Sequence, residues 1–505
     1  MPLPRLILTG ASGFLGRRLL DGLKETYEIF GIGRRSQTRC GAPHHENIHW
    51  YQIDIGDREP LFAVFDEIHD IGPADYIVHL AAHYDFTGED HPEYYRTNVE
   101  GLRNVLEASR RHRPRRFVFS SSVAACQFPP PGQVLTEKSP PDGDHLYAET
   151  KAIGERMLAE YSEFFPSVIV RFAALFSDWC EYPPLYMFLR TWLSNAWNNR
   201  ILGGQGQSAI PYLHVKDAAQ FLRRVLARND DIEDQEILVA STDGAITHRQ
   251  LFMASTQYYF DEERHPLYVP RPLVWPGIKV RCMFGAFLQE RPFERPWMAR
   301  YVDKQLTVDA SHTRARLHWA PRTRLELLRR LPFLLEHLKT DRVEWTRRNR
   351  DAMKQVHMRP NLKIHYLLEK HRDAISLECT DALRRKYDSY QKVDEKEHLW
   401  NHRLILRHLF NSVRTRERVD FLSYCRELAE RRMEQGFSSA ELVGALETLD
   451  GICLKTLMAD SEAQDLLPYL YDHITMTIRF GIDQVQEVFE ESTLDQDSAA
   501  GPTPI

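Results

Sequence analysis

The stretch Thr9-Gly-Ala-Ser-Gly-Phe-Leu-Gly16 decides the fold, because it sets three glycines in a turn directly after an apolar run. Leu6-Ile-Leu8 reads as a buried strand, and Arg17-Arg-Leu-Leu20 opens a helix. Strand, glycine turn and helix in that order are the context in which such a motif cradles a dinucleotide. Gly10 allows the tight turn, Gly13 lets backbone approach a pyrophosphate, and Gly16 lets helix pack on strand. The helix N-terminus then offers unpaired N–H groups and a positive dipole end to the phosphates. The alternative is a glycine-rich loop that holds no ligand.

Outward from that turn, residues 1 to about 240 alternate short apolar runs with helical patterns. Strands are predicted at 6–9, 28–31, 48–54, 76–80, 116–121, 167–172 and 236–239. That alternation predicts an α/β fold with a doubly wound parallel sheet of the Rossmann type. The nucleotide-binding core is assigned to 1–175 and 205–240, and a small substrate lobe, richer in Pro, Trp and Arg, to 176–204 and 241–335. The charged run 341–360, with Arg347-Arg-Asn-Arg350, reads as a linker helix. From 361 to 491 the pattern is helical throughout, as in a separate all-α bundle, and Ser438-Ser-Ala-Glu441 is a capping box that starts one helix. Residues 492–505 read as a disordered tail.

A length of 505 residues suits about three domains. With 43% hydrophobic and 27% charged residues the composition is that of an ordinary globular protein. A net charge of −6 gives no reason to expect nucleic acid or an anionic membrane as the main partner. Seven cysteines without a CxxC pair argue for reduced thiols and against a zinc knuckle. No signal peptide and no bilayer-spanning run are read, so the expectation is a cytoplasmic protein that acts on a small molecule, without metal.

The chemistry is carried by Tyr147-Ala-Glu-Thr-Lys151, which sets a tyrosine and a lysine four apart on one helix face. Such a pair alone has little meaning, but here it follows a strand ending in Ser120-Ser-Ser122 in a chain that opens with a dinucleotide turn. A phenol with a free pKa of about 10 is a poor base at neutral pH. A neighbouring ammonium is expected to favour the phenolate of Tyr147 and so fit it for acid–base work. Lys151 would also hold the nicotinamide ribose, and Ser122 would steady the substrate oxygen. The alternative is a surface Tyr–Lys pair.

At these residues, 1–340 resembles an extended short-chain dehydrogenase/reductase, the NAD-dependent epimerase/dehydratase family. TGASGFLG is similar to the family's TGxxGxxG, which implies cofactor contacts from Gly10, Ser12, Gly13, Phe14, Leu15 and Gly16. Asp54 resembles the aspartate that meets the adenine, with Ile55 beside it. Val78-His-Leu-Ala-Ala82 resembles the strand lining the nicotinamide side, which implies Leu80, Ala81 and Ala82. Asn98 matches the asparagine that braces the active-site strands. His214-Val-Lys-Asp217 and Leu317-His-Trp-Ala-Pro321 resemble the HVxD and LGWxP signatures, both mostly structural.

Cofactor choice is read at the end of the second strand, where an NAD enzyme carries an acidic residue for the ribose 2′-hydroxyl. Here the place falls on Gly33, followed by Arg34 and Arg35, so NADP is preferred to NAD. The alternative is a solvated loop. Departures from the family's sugar-nucleotide members are Ala where an asparagine follows Arg171, Ile210 where an arginine precedes the HVxD histidine, and Cys126 in place of a tyrosine. Arg281, Arg291 and Arg295 stand as substitutes. The lobe is instead rich in Trp179, Tyr182, Tyr186, Phe188, Trp192, Trp197, Trp275 and Phe284. These suit an apolar alcohol or ketone, as in hydroxysteroid-dehydrogenase-like or flavonol-reductase-like members, or else they are lobe core.

The phrase Leu428-Ala-Glu-Arg-Arg-Met-Glu-Gln-Gly-Phe-Ser-Ser439 resembles the helical N-terminal domain of RsbR-type stressosome proteins, which implies sensing and homodimerisation. His398 and His402, four apart, have metal-ligand spacing, but no third ligand stands at a matching distance. Three functions follow: an NADP-dependent oxidoreductase with a regulatory bundle, an NDP-sugar epimerase or dehydratase that retains NAD, and an NADP(H) redox sensor that signals to a partner through the bundle.

Overall fold

The computed structural model describes residues 2–86, 88, 92–287, 293–353, 360–393 and 395–499. Seven apolar runs become seven parallel strands: β1 (Arg5–Thr9), β2 (Glu28–Gly33), β3 (Ile48–Gln52), β4 (Tyr76–His79), β5 (Arg116–Ser122), β6 (Ser167–Phe172) and β7 (Glu236–Ala240). Their order across the sheet is β3-β2-β1-β4-β5-β6-β7. Both faces are buried, by Leu6, Leu8, Val78 and Val118 on one side and Ile7, Ile77, Phe117 and Phe119 on the other. That two-sided burial is why the strands read as continuous apolar runs without alternation. Strand order reverses between β1 and β4, so a crevice opens over their carboxyl ends, where Thr9 pairs with His79.

The first helix, α1 (Phe14–Leu23), begins three residues before the expected Arg17, capped by Gly13. The glycine turn closes quickly, with Gly13 N–H donating to the Gly10 carbonyl at 2.9 Å. After β5 comes α2 (Leu146–Ala159), which carries Tyr147 and Lys151. The lobe contributes α3 (Arg271–Phe287) and two short strands, Ile201–Gly203 and Leu267–Val269, paired in parallel.

Two expected boundaries are corrected. The charged run is helical as expected, over α4 (Arg342–Met353), but it is packed and not a free linker: Trp345 is buried, and Asn349 donates to the Trp179 carbonyl and accepts from Glu181 N–H. Trp345 and Asn349 lie one turn apart on an inner face, and the arginines occupy the others. Accordingly one compact unit is Met1–His357 and the other Met358–Ile505.

The second unit is all helical: α5 (Pro360–Lys370), α6 (Arg372–Lys386), α7 (Glu395–Thr415), α8 (Val419–Glu434), α9 (Ser439–Ala459) and α10 (Met476–Ala499). Leu409, Phe410, Phe421, Cys453, Leu457 and Ile474 are at the centre of its core. The capping box is present, with Ser438 Oγ accepting from Glu441 N–H at 3.3 Å and Glu441 Oε2 accepting from Ser438 N–H at 2.8 Å. The expected tail at 492 is also corrected, because α10 continues to Ala499 and no glycine or proline stands between Ser492 and Ala500. Residues 500–505 lie outside the described part.

Candidate active site

The glycine turn is built by close backbone approach. Gly10 has φ +71°, and a Cβ there would stand 2.6 Å from the Ala81 nitrogen, a backbone atom that cannot yield. A Cβ at Gly16 would stand 2.4 Å from the Gly10 carbonyl oxygen, so the turn and α1 fit only without side chains. Gly13 is less crowded, its nearest neighbour being that same oxygen at 3.0 Å. The turn thus leaves a side-chain-free surface at a helix N-terminus, which fits a pyrophosphate. Phe14, Leu15, Leu80 and Ala82 line the cleft beside it.

At the far end of β2, a Cβ on Gly33 would meet Ser12 at 3.0 Å, so glycine here serves the turn's packing as well as leaving room. Arg35 donates to the Ser12 carbonyl. Burial and the neighbouring cations Arg17, Arg34 and Arg39 hold its pKa below the usual arginine value. Arg34 lies 3.4 Å from Glu93 and 3.9 Å from Asp54. Asp54 is closed into this cluster: its side chain is 1% exposed, it accepts from Gly56 N–H at 2.8 Å, and Arg96 stands 3.9 Å away. Ile55 is core, packed under Gly101.

The catalytic candidates converge on the carboxyl end of β5. Lys151 Nζ donates to the Ser120 carbonyl at 2.6 Å and lies 5.7 Å from the centre of the Tyr147 ring. Tyr147 and Ser122 share a side-chain hydrogen bond, and Ser122 Oγ also accepts from Ala124 N–H at 3.1 Å. One turn further along α2, Glu155 accepts from Ser121 at 2.5 Å and from both sides of the Arg171 guanidinium at 2.9 and 2.7 Å. Asn98 ties the neighbouring segments together: its Oδ1 accepts from His83 N–H at 2.7 Å, while Nδ2 donates to the His83 carbonyl at 2.9 Å and to Thr150 at 3.0 Å. Asn98 is therefore a brace between the β4 exit and α2.

The electrostatics differ from the sequence expectation. Burial pushes the Tyr147 phenol up, and the Ser122 hydrogen bond only partly opposes it. Burial also brings Lys151 down to about 8, with Glu155 opposing. Desolvation is the dominant effect, and it favours the neutral phenol of Tyr147.

Over these groups lies a cavity of about 950 Å³. Of the lobe aromatics, Tyr182, Phe188, Trp192 and Trp197 line it. Trp179 instead stacks on His337 at 4.0 Å, Tyr186 is core, and the Phe284 side chain lies outside the described residues. Arg281 reaches the cavity paired with Glu294 at 2.9 Å, while Arg291 lies outside the described part. Sequence reasoning missed Tyr84, whose ring centre is 4.3 Å from that of Tyr147, and also Phe86, His145 and Trp297. Tyr84 and Phe86 follow directly on the Val78–Ala82 segment, and that adjacency was the available signal.

The signature segments have structural partners, as expected. Asp178 receives His214 at 3.1 Å, Lys216 at 2.9 Å and Arg330 at 2.5 Å. Asp217 receives Arg322 at 2.6 Å, and Trp319 packs edge-on against Phe221 at 4.9 Å. In the helical unit His402 is half-buried beside Thr380 at 3.2 Å, its pKa lowered to about 4 by desolvation. The side chain of His398 lies outside the described residues.

Residues 6–240 match the model of the NAD dependent epimerase/dehydratase family, and residues 373–497 match the RsbT co-antagonist protein rsbRD N-terminal domain. A uronate dehydrogenase from Pseudomonas syringae pv. tomato is 26% identical over 197 residues, covering 38% of this chain and 66% of that protein. A 3 beta-hydroxysteroid dehydrogenase/Delta 5-->4-isomerase from Mycobacterium tuberculosis is 31% identical over 163 residues, 31% of this chain and 42% of the relative. The chain thus spans about two thirds or less of these relatives. The UDP-glucose 4-epimerase structure from Thermotoga maritima superposes with a TM-score of 0.51 at 19% identity, covering 66% of this chain and 98% of that one. A dTDP-glucose 4,6-dehydratase from Bacillus anthracis gives 0.52 at 16%, covering 68% and 99%. At such identities the likeness is one of fold. Among the described residues no helix is long and apolar enough to cross a membrane.

Proposed function

We propose, on the premise that residues 6–240 belong to the NAD dependent epimerase/dehydratase family, that the first unit is an NAD(P)-dependent oxidoreductase acting on an apolar alcohol or ketone. The observation that carries this reading is the joining of Ser122, Tyr147 and Lys151 at the floor of an aromatic cleft beside the glycine turn. Gly10, Gly13, Gly16 and the N-terminus of α1 would hold the pyrophosphate, and Lys151 the nicotinamide ribose. The bound nicotinamide supplies or takes up the hydride. Tyr147, kept protonated by burial, donates its proton to the carbonyl oxygen in the direction of reduction and takes it back in the reverse direction. Ser122 donates a hydrogen bond to that oxygen as charge develops on it. Tyr84, Phe86, Tyr182 and Phe293 exclude water and present apolar surface to the substrate.

NADP is the preferred cofactor in this reading. Arg17, Arg34, Arg35 and Arg39 crowd the end of β2 at a cost in mutual repulsion, and a 2′-phosphate would relieve it. The second unit is read as a regulatory bundle that mediates self-association, on the strength of its match to the rsbRD N-terminal domain. The test is turnover of apolar ketones with NADPH by Ser122→Ala and Tyr147→Phe. Losses of about 10²–10⁴-fold are expected, with cofactor affinity retained. Full turnover in either variant contradicts the assignment.

A further inference from the structure

The segment from Leu267 to Met283 carries six large apolar side chains in contact with solvent. Leu267 is 57% exposed, Tyr268 44%, Leu273 58%, Trp275 49%, Val280 52% and Met283 67%. In the described part of α3, only Val274 is buried. An ordinary surface helix turns its apolar stripe inward. Here an apolar face points outward as well, and contiguous exposed patches of that kind mark an interaction surface.

The charges of the segment point to the partner. From Arg264 to Phe287 there are four cations, Arg264, Arg271, Lys279 and Arg281, and no carboxylate, in a chain whose net charge is −6. Arg281 pairs with Glu294 and Arg264 lies 3.9 Å from Glu262. Neither Arg271 nor Lys279 has an ion pair among the described residues, and Lys279 lies over the Trp275 ring at 4.9 Å. Exposed Trp, Leu, Val and Met interleaved with unpaired Arg and Lys form the pattern of an element that lies in a bilayer interface. With 17 residues and several cations, α3 is too short and too charged to span a bilayer.

The inner side of the same helix gives the surface a purpose. Val274, Gly277 and Ile278 line the catalytic cavity, so α3 has apolar surface toward both the cleft and solvent. Pro276 interrupts its hydrogen bonding midway, which leaves the element easier to displace than an unbroken helix.

We propose that α3, with the strand Leu267–Val269, docks on an anionic lipid surface, and that the cleft takes a lipid-soluble alcohol or ketone from it. The docking rests on the patch alone, whereas the cargo rests on the oxidoreductase reading.

The experiment is co-sedimentation of the full chain with vesicles of phosphatidylcholine, with and without phosphatidylglycerol. The wild type is expected to pellet with the anionic vesicles and to be released by salt. The triple variant Trp275→Ser, Val280→Asn, Met283→Ser is expected to bind about tenfold or more weakly. The pair Arg271→Gln, Lys279→Gln is expected to lose the preference for phosphatidylglycerol. Unchanged NADPH affinity shows that the variants are folded. Wild type left in the supernatant with both vesicles, or a triple variant that pellets like wild type, overturns the docking. So does an oligomer that fails to bind vesicles and dissociates in the triple variant, because the patch then covers a second copy. If vesicles bind but only water-soluble substrates turn over, the cargo is wrong while the oxidoreductase reading stands.

Discussion

The two units bury different chemistry. In the first, Asp54, Asp85, Glu93, Glu155 and Asp217 are all buried carboxylates, each held by named donors or cations. In the second, no carboxylate is buried among the described residues: the core is leucine, phenylalanine and cysteine, and the buried charges are the cations Arg414 and Arg432. Buried charge is costly to keep, so where it is kept it holds something in register. Around the proposed reaction centre that something is α2 against β5 and β6. In the helical unit apolar packing dominates, the buried Arg432 donates to Gln435 at 2.6 Å, and the histidines have structural partners: His365 with the Phe410 carbonyl, and His371 with Asp460 at 2.8 Å.

The contrast can be broken most forcefully at Glu155. Glu155→Ala leaves the fully buried Arg171 guanidinium without its carboxylate, and a loss of about 3–5 kcal/mol is expected by denaturant unfolding. Leu409→Ala in the second unit is expected to cost about 2–5 kcal/mol through a cavity, with no change in cofactor affinity. Should Leu409→Ala weaken cofactor binding as strongly as Glu155→Ala, the division of labour fails.

Gly10→Ala comes next. The new methyl would meet the backbone of Ala81, and φ +71° adds strain of about 1–3 kcal/mol. NADPH affinity should fall at least about tenfold by fluorescence titration.

A third test uses pH. Below about 8 Lys151 is a cation able to grip the cofactor, and above it the amine is neutral. Cofactor affinity is therefore expected to weaken as pH rises through about 8. Stability should move the opposite way. Between about 8 and the ordinary 10.5, the unfolded chain holds a proton that the folded chain has shed, so the burial penalty is relieved as pH climbs. A binding constant flat to pH 10.5 would exclude Lys151 from the grip. The smallest effect is at the cap: Ser438→Ala should cost about 1 kcal/mol and leave the first unit untouched.

The seven strands were legible because two-sided burial demands unbroken apolar runs. Only their ends moved: β3 stops at Gln52, where Asp54 folds back onto Gly56 N–H. Ser122, Tyr147 and Lys151 were legible because helix spacing and strand order fix where they meet. The state of Tyr147 was not, since its pKa depends on desolvation by groups distant in the chain, Tyr84 and Tyr182 among its neighbours. Nor was the packing of α4, whose charged faces hide the inward Trp345 and Asn349. In the second unit the fold was legible, but no residue pattern there specifies chemistry.

The central claim is an exchangeable nicotinamide cofactor, phosphorylated on the ribose, above Tyr147. The direct measurement is titration of the full chain with NADPH and NADH, together with analysis of whatever leaves the protein on denaturation. Exchangeable NADPH, bound at least about tenfold more tightly than NADH and lost in step with neutralisation of Lys151, is the expected result. NAD released only on denaturation, with indifference to NADPH, would contradict it.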